Sequence, residues 1–81
     1  MSLCKLPRGA RAVVDRVEDA HTADAVSRRL RDLGFVAGEP VRLLARGPLG
    51  GEPLLIQIGG TRFALRSVEA ARVRVREVEA A

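Results

Sequence analysis

The stretch LLIQIGGTRFALR, residues 54–66, decides the fold. Leu54, Ile56 and Ile58 alternate with other side chains before Gly59-Gly60, and the same alternation resumes after it with Phe63 and Leu65. A period of two indicates a β-strand. Two consecutive glycines supply the positive φ angles of a tight hairpin turn. The stretch therefore predicts a β-hairpin with strands over residues 54–58 and 61–66.

Three further strands are predicted outward from this hairpin. After Pro40, one face of residues 41–46 holds Val41, Leu43 and Ala45 and the other holds Arg42, Leu44 and Arg46. In residues 73–76, Val73 and Val75 alternate with arginines. Residues 11–18 also alternate, with Val13, Asp15 and Val17 on one face, although neither face is cleanly polar. Residues 47–53, rich in glycine and proline, predict a loop between the second and third strands.

One helix is predicted over about residues 22–33. Thr22 is placed to serve as its N-cap, and Asp24 sits in the first turn near the positive end of the helix dipole. An apolar stripe at three- and four-residue steps consists of Ala23, Val26, Leu30 and Leu33. Gly34 predicts the end of the helix, with Phe35 packing back on Leu30. A single helical turn over about residues 67–71, capped by Ser67, is predicted before the last strand.

Together these elements predict a mainly β protein: a small, partly open, five-stranded barrel with one helix. The 81 residues allow a single domain, 1–81, and closing the sheet on itself would hide its edges. The expected barrel interior consists of Val41, Leu43, Ile56, Ile58, Phe63, Leu65, Val73 and Val75.

The composition argues against several classes of function. The chain has two Phe and no Trp or Tyr, so it lacks an aromatic platform on which single-stranded nucleic acid could stack. No glycine-rich loop carries the lysine that a phosphate-binding loop needs. The single histidine, His21, has no nucleophile and base arranged beside it in the sequence, so no enzymatic activity is expected.

The lone cysteine, Cys4, cannot form an internal disulfide, which fits a reducing cytosol. No apolar segment approaches the length of a membrane span or of a signal peptide, so we expect a cytoplasmic protein that does not insert into the membrane.

Metal binding has weak support in the sequence. Cys4 and His21 are the candidate ligands, with Glu18 and Asp19 as further donors, but the short ligand spacings of a structural zinc site are absent. We expect no resident cofactor. A weakly or adventitiously bound divalent transition metal stays open, as does a site shared between two copies in a homo-oligomer.

The positive charge is concentrated in the second half of the chain. The net charge is +4, and residues 40–76 hold seven arginines against Glu52 and Glu69. Alternating arginines either form a nucleic-acid or acidic-partner surface or line an ordinary solvated barrel wall. The arginines concerned are Arg42 and Arg46, Arg62 and Arg66, and Arg72, Arg74 and Arg76.

The chain resembles the ferrous iron transport protein A (FeoA) family in an ordered set of segments. The stretch from Leu30 to Val41 resembles the family's helix end, where one glycine ends the helix and a second precedes a strand. Residues 47–53 resemble its proline and glycine loop, and residues 63–70 its Ala-Leu-Arg and Glu-Ala segment. Leu3, Leu6, Pro7 and Gly9 fit its opening, so the resemblance covers nearly the whole chain.

That resemblance implies an SH3-like barrel and a non-catalytic cytosolic accessory of ferrous iron uptake. The implied partner is a membrane iron transporter with a cytosolic GTP-binding domain. Recognition usually involves loops and helix ends on a rigid scaffold, so the expected partner-binding residues are Leu33, Gly34, Phe35, Pro48, Leu49 and Gly50. Two alternatives remain: a basic barrel that binds nucleic acid, and a stand-alone regulatory module related to the C-terminal domain of iron-dependent repressors.

Overall fold

The computed structural model describes residues 1–78. After a 3-10 turn at Leu3–Lys5, strand β1 (Arg11–Val17) leads to helix α1 (Ala25–Asp32). Strands β2 (Pro40–Gly47), β3 (Gly51–Ile58) and β4 (Thr61–Leu65) follow, and a helical turn, α2 (Ser67–Ala70), precedes β5 (Val73–Glu77). This order confirms the predicted mainly β, SH3-like architecture of five strands with one helix and a short helical turn.

The five strands form one antiparallel sheet in the order β4-β3-β2-β1-β5. The predicted hairpin is present, with Ile58 opposite Thr61 and Leu54 opposite Leu65. The outer edge of β5 is paired with the start of the chain: Ser2 bridges Arg74, and the Val75 N–H donates to the Met1 carbonyl at 2.8 Å. Because an uncovered strand edge invites pairing with another chain, this short segment protects β5.

The sheet encloses a core of aliphatic side chains and Phe35. Seven of the eight residues expected in the barrel interior are buried, while Phe63 is partly exposed and packs against the core. Leu3 and Leu6, close to the 3-10 turn, are fully buried and complete the core from the N-terminal side. Neither helix within residues 1–78 is long and apolar enough to cross a membrane.

The buried face of β1 differs from the prediction. The core side holds Ala12, Val14 and Val17, whereas Val13 is half-buried and Asp15 is exposed. The register between β1 and β5 shifts between Val14 and Arg16. A β-bulge adds one residue to a strand and so changes which face the following residues occupy. The prediction that Val13, Asp15 and Val17 share one face is therefore wrong, because the alternation is interrupted between Val14 and Arg16.

Helix α1 begins three residues later than predicted. Asp24, and not Thr22, is the N-cap: its Oδ1 accepts the N–H groups of Val26 and Ser27 at 3.0 and 3.5 Å. Ala23, expected in the apolar stripe, lies before the helix and is exposed. Thr22 and Asp24 both suit an N-cap, and tertiary contacts of Asp24 described below decide between them.

The predicted end of α1 is confirmed. Gly34 has a φ of 111°, and its N–H donates to the Arg31 carbonyl at 3.1 Å. The Phe35 N–H donates to the Leu30 carbonyl at 3.1 Å, and both side chains are buried in the core. This pair of bonds is a Schellman motif, which needs a residue with positive φ, usually glycine, just after the helix.

The helical turn α2 is capped by a different residue from the one predicted. Ser67 is its first residue, and Arg66 is the N-cap. The Arg66 N–H donates to the Glu69 carboxylate at 2.9 Å, while the Ser67 N–H points to Glu52 on β3. The N–H groups at the start of α2 are therefore capped by Glu69 within the turn and by Glu52 on β3. The local sequence does not indicate the contact with Glu52.

The predicted loop over residues 47–53 is shorter in the structure. Only Pro48, Leu49 and Gly50 separate β2 from β3. Gly47 pairs with Gly51 but Arg46 pairs with Leu54, so Glu52 and Pro53 form a bulge in β3. Proline lacks the N–H that a ladder needs and is tolerated at such a bulge. The glycines and prolines of residues 47–53 therefore mark a three-residue turn and an irregular start of β3, whereas the sequence predicts a loop throughout.

Candidate partner-binding site

The turn Pro48–Gly50 is the most exposed apolar feature among the predicted site residues. Leu49 is 80% exposed, and Pro48 and Gly50 are exposed beside it. A large apolar side chain in water forgoes the stabilisation that burial would provide, about 2 kcal/mol for a leucine. Single exposed leucines are common on protein surfaces, so the surroundings of Leu49 decide whether it is a contact residue.

Leu49 borders an open cleft of about 410 Å³, lined also by Glu52, Pro53 and Arg66. The cleft lies where the β2–β3 turn, the β3 bulge and the start of α2 meet. Both carboxylate oxygens of Glu52 accept the Ser67 N–H at 3.1 Å, which holds the bulge against α2. The β3 bulge and α2, which border the cleft, are therefore held together by hydrogen bonds. The Glu52 carboxylate and the Arg66 guanidinium lie at the rim of the cleft.

The exposed Val68 of α2 belongs to a different cleft. It is 68% exposed and lines a cleft of about 240 Å³ together with Glu18, Asp19, Ala20, Ala71 and Arg72. Of the residues that line the cleft beside Leu49, Glu52 and Arg66 are not indicated as site residues by the local sequence. Ser67 and Glu52 are 15 residues apart, so no local pattern indicates that they meet.

The helix-end candidates occupy a different place. Residues 33–35 lead into the start of β2 at Pro40, whereas the turn follows its other end at Gly47. Phe35 is fully buried, its ring centroid 6.3 Å from that of Phe63. With Val36 and Ala37 it lines a separate cleft of about 240 Å³. Leu33 and Gly34 are half-buried. The two parts of the predicted surface therefore attach to opposite ends of one strand.

The two candidate metal ligands, Cys4 and His21, lie in different parts of the structure. Cys4 Sγ lies 3.0 Å from the Ser2 hydroxyl, in the N-terminal turn. The exposed His21 ring lies beside the N-cap of α1, with Nε2 at 3.8 Å from Asp24 Oδ1. Within residues 1–78 no three His, Cys, Asp or Glu side chains are grouped to hold a metal ion. The donors in this part of the chain do not match the four-ligand set of a structural zinc site.

A charged network lies behind His21 and fixes α1 to β5. Asp24 is buried, and its Oδ2 accepts Arg72 Nε at 2.7 Å and the Ala20 N–H at 2.8 Å. The bond from Arg72, followed by that from Ala20, holds the pKa of Asp24 far below its ordinary value. Hydrogen bonding from the Ser27 hydroxyl, with Arg31 beside it, lowers the pKa of Asp19. These carboxylates are ionised structural groups at neutral pH.

Solved structures of iron-transport proteins are similar to the whole chain. Stenotrophomonas maltophilia FeoA, solved with zinc and described as an SH3-domain protein suggested to act as a ferrous iron transport activating factor, is 60% identical, with a TM-score of 0.88. That alignment covers 94% of this chain and 89% of the other. Chlorobium tepidum FeoA is 37% identical, with a TM-score of 0.83, over 98% of this chain and 71% of that protein.

A manganese-dependent transcriptional repressor shares the fold alone. It is 22% identical, with a TM-score of 0.81, and the alignment covers 96% of this chain and 41% of the repressor. No curated protein matches the chain. The FeoA domain model matches residues 1–77, and the chain belongs to the FeoA family of SH3-like proteins associated with ferrous iron transport.

Proposed function

We propose that the protein is a non-catalytic, cytoplasmic accessory of ferrous iron uptake that binds the GTP-binding region of the membrane iron transporter. Family membership supports a role in ferrous iron uptake, since the S. maltophilia relative is described as a suggested ferrous iron transport activating factor. The observation that carries the binding role is Leu49, an 80% exposed leucine on the rim of a cleft built from two mutually bonded elements. In this proposal the protein acts by binding the transporter, and any catalytic step takes place in the transporter.

The contact surface of this proposal is the turn Pro48–Gly50 with the adjoining cleft. An apolar side chain of the partner would bury Leu49, and polar partner groups would meet Glu52 and Arg66 on the rim. Interfaces of this kind have an apolar centre that carries most of the binding energy, surrounded by a polar border. Leu33, Gly34 and Phe35 stay a second candidate patch, of which the half-buried Leu33 and Gly34 offer exposed atoms.

Divalent metal has a minor place in this proposal. The S. maltophilia relative was solved with zinc, whereas the donors within residues 1–78 of this chain form no cluster. We infer weak binding through single donors such as Cys4 and His21, with no part in folding. No step of the proposed function depends on a bound metal.

Ferrous iron uptake in cells tests the proposal. A strain that lacks the gene is complemented with wild type, with Leu49→Ser, or with Val78→Ser as a matched control at an exposed apolar position outside both candidate patches, 41% exposed. Surface substitutions of this kind change stability by only about 0.5 kcal/mol or less, so all three proteins should accumulate equally. We expect Leu49→Ser to restore uptake poorly and Val78→Ser to restore it fully. Full restoration by Leu49→Ser would reject the turn as the contact surface.

A further inference from the structure

Three arginines and a glutamine form one row across the sheet. Arg11 on β1 is directly opposite Arg42 on β2, Arg42 is opposite Gln57 on β3, and Gln57 is opposite Arg62 on β4. Residues directly opposite each other project from the same face of a sheet. We call Arg11, Arg42, Gln57 and Arg62 the basic row.

The basic row faces away from the core. Its sequence neighbours Val41, Leu43, Ile56 and Ile58 are buried, whereas Arg11 and Arg62 are exposed and Arg42 and Gln57 half-buried. Arg8 adds a fourth guanidinium nearby, because its Nε donates to the Leu44 carbonyl of β2 at 3.3 Å. With neighbouring strands about 4.8 Å apart, the row extends for roughly 14 Å across four strands.

The charge of the row is not balanced inside the part of the chain that the structure describes. Five arginines elsewhere are paired with carboxylates, namely Arg16, Arg31, Arg72, Arg74 and Arg76. Arg28, Arg29, Arg46 and Arg66 form no ion pair among residues 1–78, but they are not part of a cross-strand row. Among residues 1–78, Arg8, Arg11, Arg42 and Arg62 take part in no ion pair. Like charges directly opposite across strands destabilise a sheet, so the Arg11–Arg42 pair is unfavourable in the isolated chain.

An apolar strip lies beside the basic row on the same face. Ala45 is opposite Leu55, and Leu55 is opposite Ala64. Leu55 is half-buried between buried Leu54 and Ile56, so it belongs to the outward face. The small alanines on either side leave Leu55 accessible to a ligand that lies across the strands.

We propose that the basic row binds an acidic, partly apolar segment of a protein. Two or three carboxylates in about four extended residues would span its length of roughly 14 Å. They would relieve the repulsion between Arg11 and Arg42 and form charge-assisted bonds with the guanidinium groups, while an apolar side chain of the segment would cover Leu55. The row lies away from the Leu49 cleft, so this inference goes beyond the proposed function.

A protein segment fits this face better than nucleic acid does. Four arginines that neutralise four phosphates would give a salt slope of only about −3.6, below that of proteins with six to ten phosphate contacts. Phe35 is fully buried, and the partly exposed Phe63 lies opposite buried Ile56 on the core side of the sheet, so the face that carries the basic row offers bases no ring to stack on. The apolar strip of Ala45, Leu55 and Ala64 suits a peptide side chain and not a sugar-phosphate backbone.

The probe is a fluorescein-labelled short peptide of alternating glutamate and alanine, with a glutamine and alanine peptide as the neutral control. Fluorescence anisotropy at about 20 mM salt, where screening is weak, measures the affinity of the full-length chain. The Arg42→Gln/Arg62→Gln variant removes two charges from the row. The matched control, Arg28→Gln/Arg29→Gln, removes two exposed charges from α1. Leu49→Ser reports on the cleft, and a DNA duplex is titrated in parallel.

We expect the row variant to weaken peptide binding about tenfold, since it removes two charge-assisted contacts to the peptide, while the α1 variant and Leu49→Ser bind as wild type does. An equal loss in the α1 variant would mean that only net charge matters and would overturn the proposal. Tighter binding of the duplex through the same arginines would overturn the choice of a protein ligand, and so would undetectable binding of the acidic peptide. The unchanged affinity of Leu49→Ser separates this result from failure of the uptake experiment.

Discussion

Asp24 connects three parts of the molecule through one carboxylate. Oδ1 caps α1 through the Val26 and Ser27 N–H groups, while Oδ2 accepts Arg72 near the start of β5 and the Ala20 N–H. The Asp24 side chain is 1% exposed and that of Arg72 is 14% exposed. Removing one partner of a buried pair leaves an uncompensated charge, so this residue should matter far more to stability than a surface aspartate.

Replacing Asp24 with Asn tests this at the residue scale. The amide keeps an oxygen for the cap but loses the charge that Arg72 meets. We expect Asp24→Asn to lower the thermal midpoint clearly more than Asp15→Asn, because the Asp15 partner Arg76 is 68% exposed and surface ion pairs contribute about 0–1 kcal/mol. Differential scanning calorimetry at neutral pH makes the comparison, and equal midpoints for the two variants would refute the assignment.

The pH dependence has a defined direction. Because the pKa of Asp24 is lower in the folded protein than in the unfolded chain, its contribution is present at pH values above the ordinary aspartate pKa of about 3.9. It is lost as pH falls toward the folded pKa. The difference in unfolding free energy between wild type and Asp24→Asn should therefore be flat from neutral pH down to about pH 4 and shrink below that.

At the scale of elements, the β2–β3 connection is defined by close approach of two backbones. A Cβ added at Gly47 would overlap the Glu52 carbonyl group. Glu52 in turn belongs to the bulge that forms the cleft beside Leu49. The same glycine therefore determines both the strand pairing and the shape of the candidate site.

We expect Gly47→Ala to destabilise the protein by about 2–3 kcal/mol, as overpacking against backbone does, and to lower the thermal midpoint by roughly 10–20 °C for a domain of this size. Gly60→Ala is the matched control, since a Cβ there meets nothing within 4 Å and its φ lies outside the positive range. Thermal unfolding followed by circular dichroism measures both. A Gly47→Ala midpoint within a few degrees of the Gly60→Ala midpoint would show that the bulge can relax.

Local patterns predicted most elements correctly, and long-range contacts account for the failures. The β3–β4 hairpin and the Schellman end of α1 follow from local glycines with positive φ, Gly59 at 56° and Gly34 at 111°, whereas the positive φ expected at Gly60 is absent. The start of α1 depends on Arg72, which is 48 residues from Asp24. The buried face of β1 depends on a bulge in its pairing with β5, and the sequence of β1 does not indicate that bulge.

The candidate site also has one part that local sequence predicts and another that depends on long-range contacts. The proline and glycine content predicts a loop over residues 47–53, and the turn within it holds Pro48, Leu49 and Gly50, which are exposed. The cleft beside them needs Glu52 and Ser67 to meet across the sheet, and the basic row needs the register of four strands. Neither arrangement can be read from alternation alone, because alternation gives faces and not cross-strand neighbours.

On the scale of the whole molecule, an SH3-like barrel of aliphatic residues offers two separate outer surfaces. One is the Leu49 turn with its cleft, and the other is the basic row across β1 to β4. The rigid sheet fixes both, so a small accessory protein could bind two parts of one partner or two partners at once. Such paired contacts would raise the overall affinity through effective concentration.

The most direct test of the central claim is titration of the purified chain into the isolated GTP-binding region of the transporter, followed by isothermal calorimetry. We expect wild type to bind, Val78→Ser to bind equally, and Leu49→Ser to bind at least about fivefold more weakly, because it loses a central interface residue. No binding by wild type, or equal affinity for wild type and Leu49→Ser, would contradict the account.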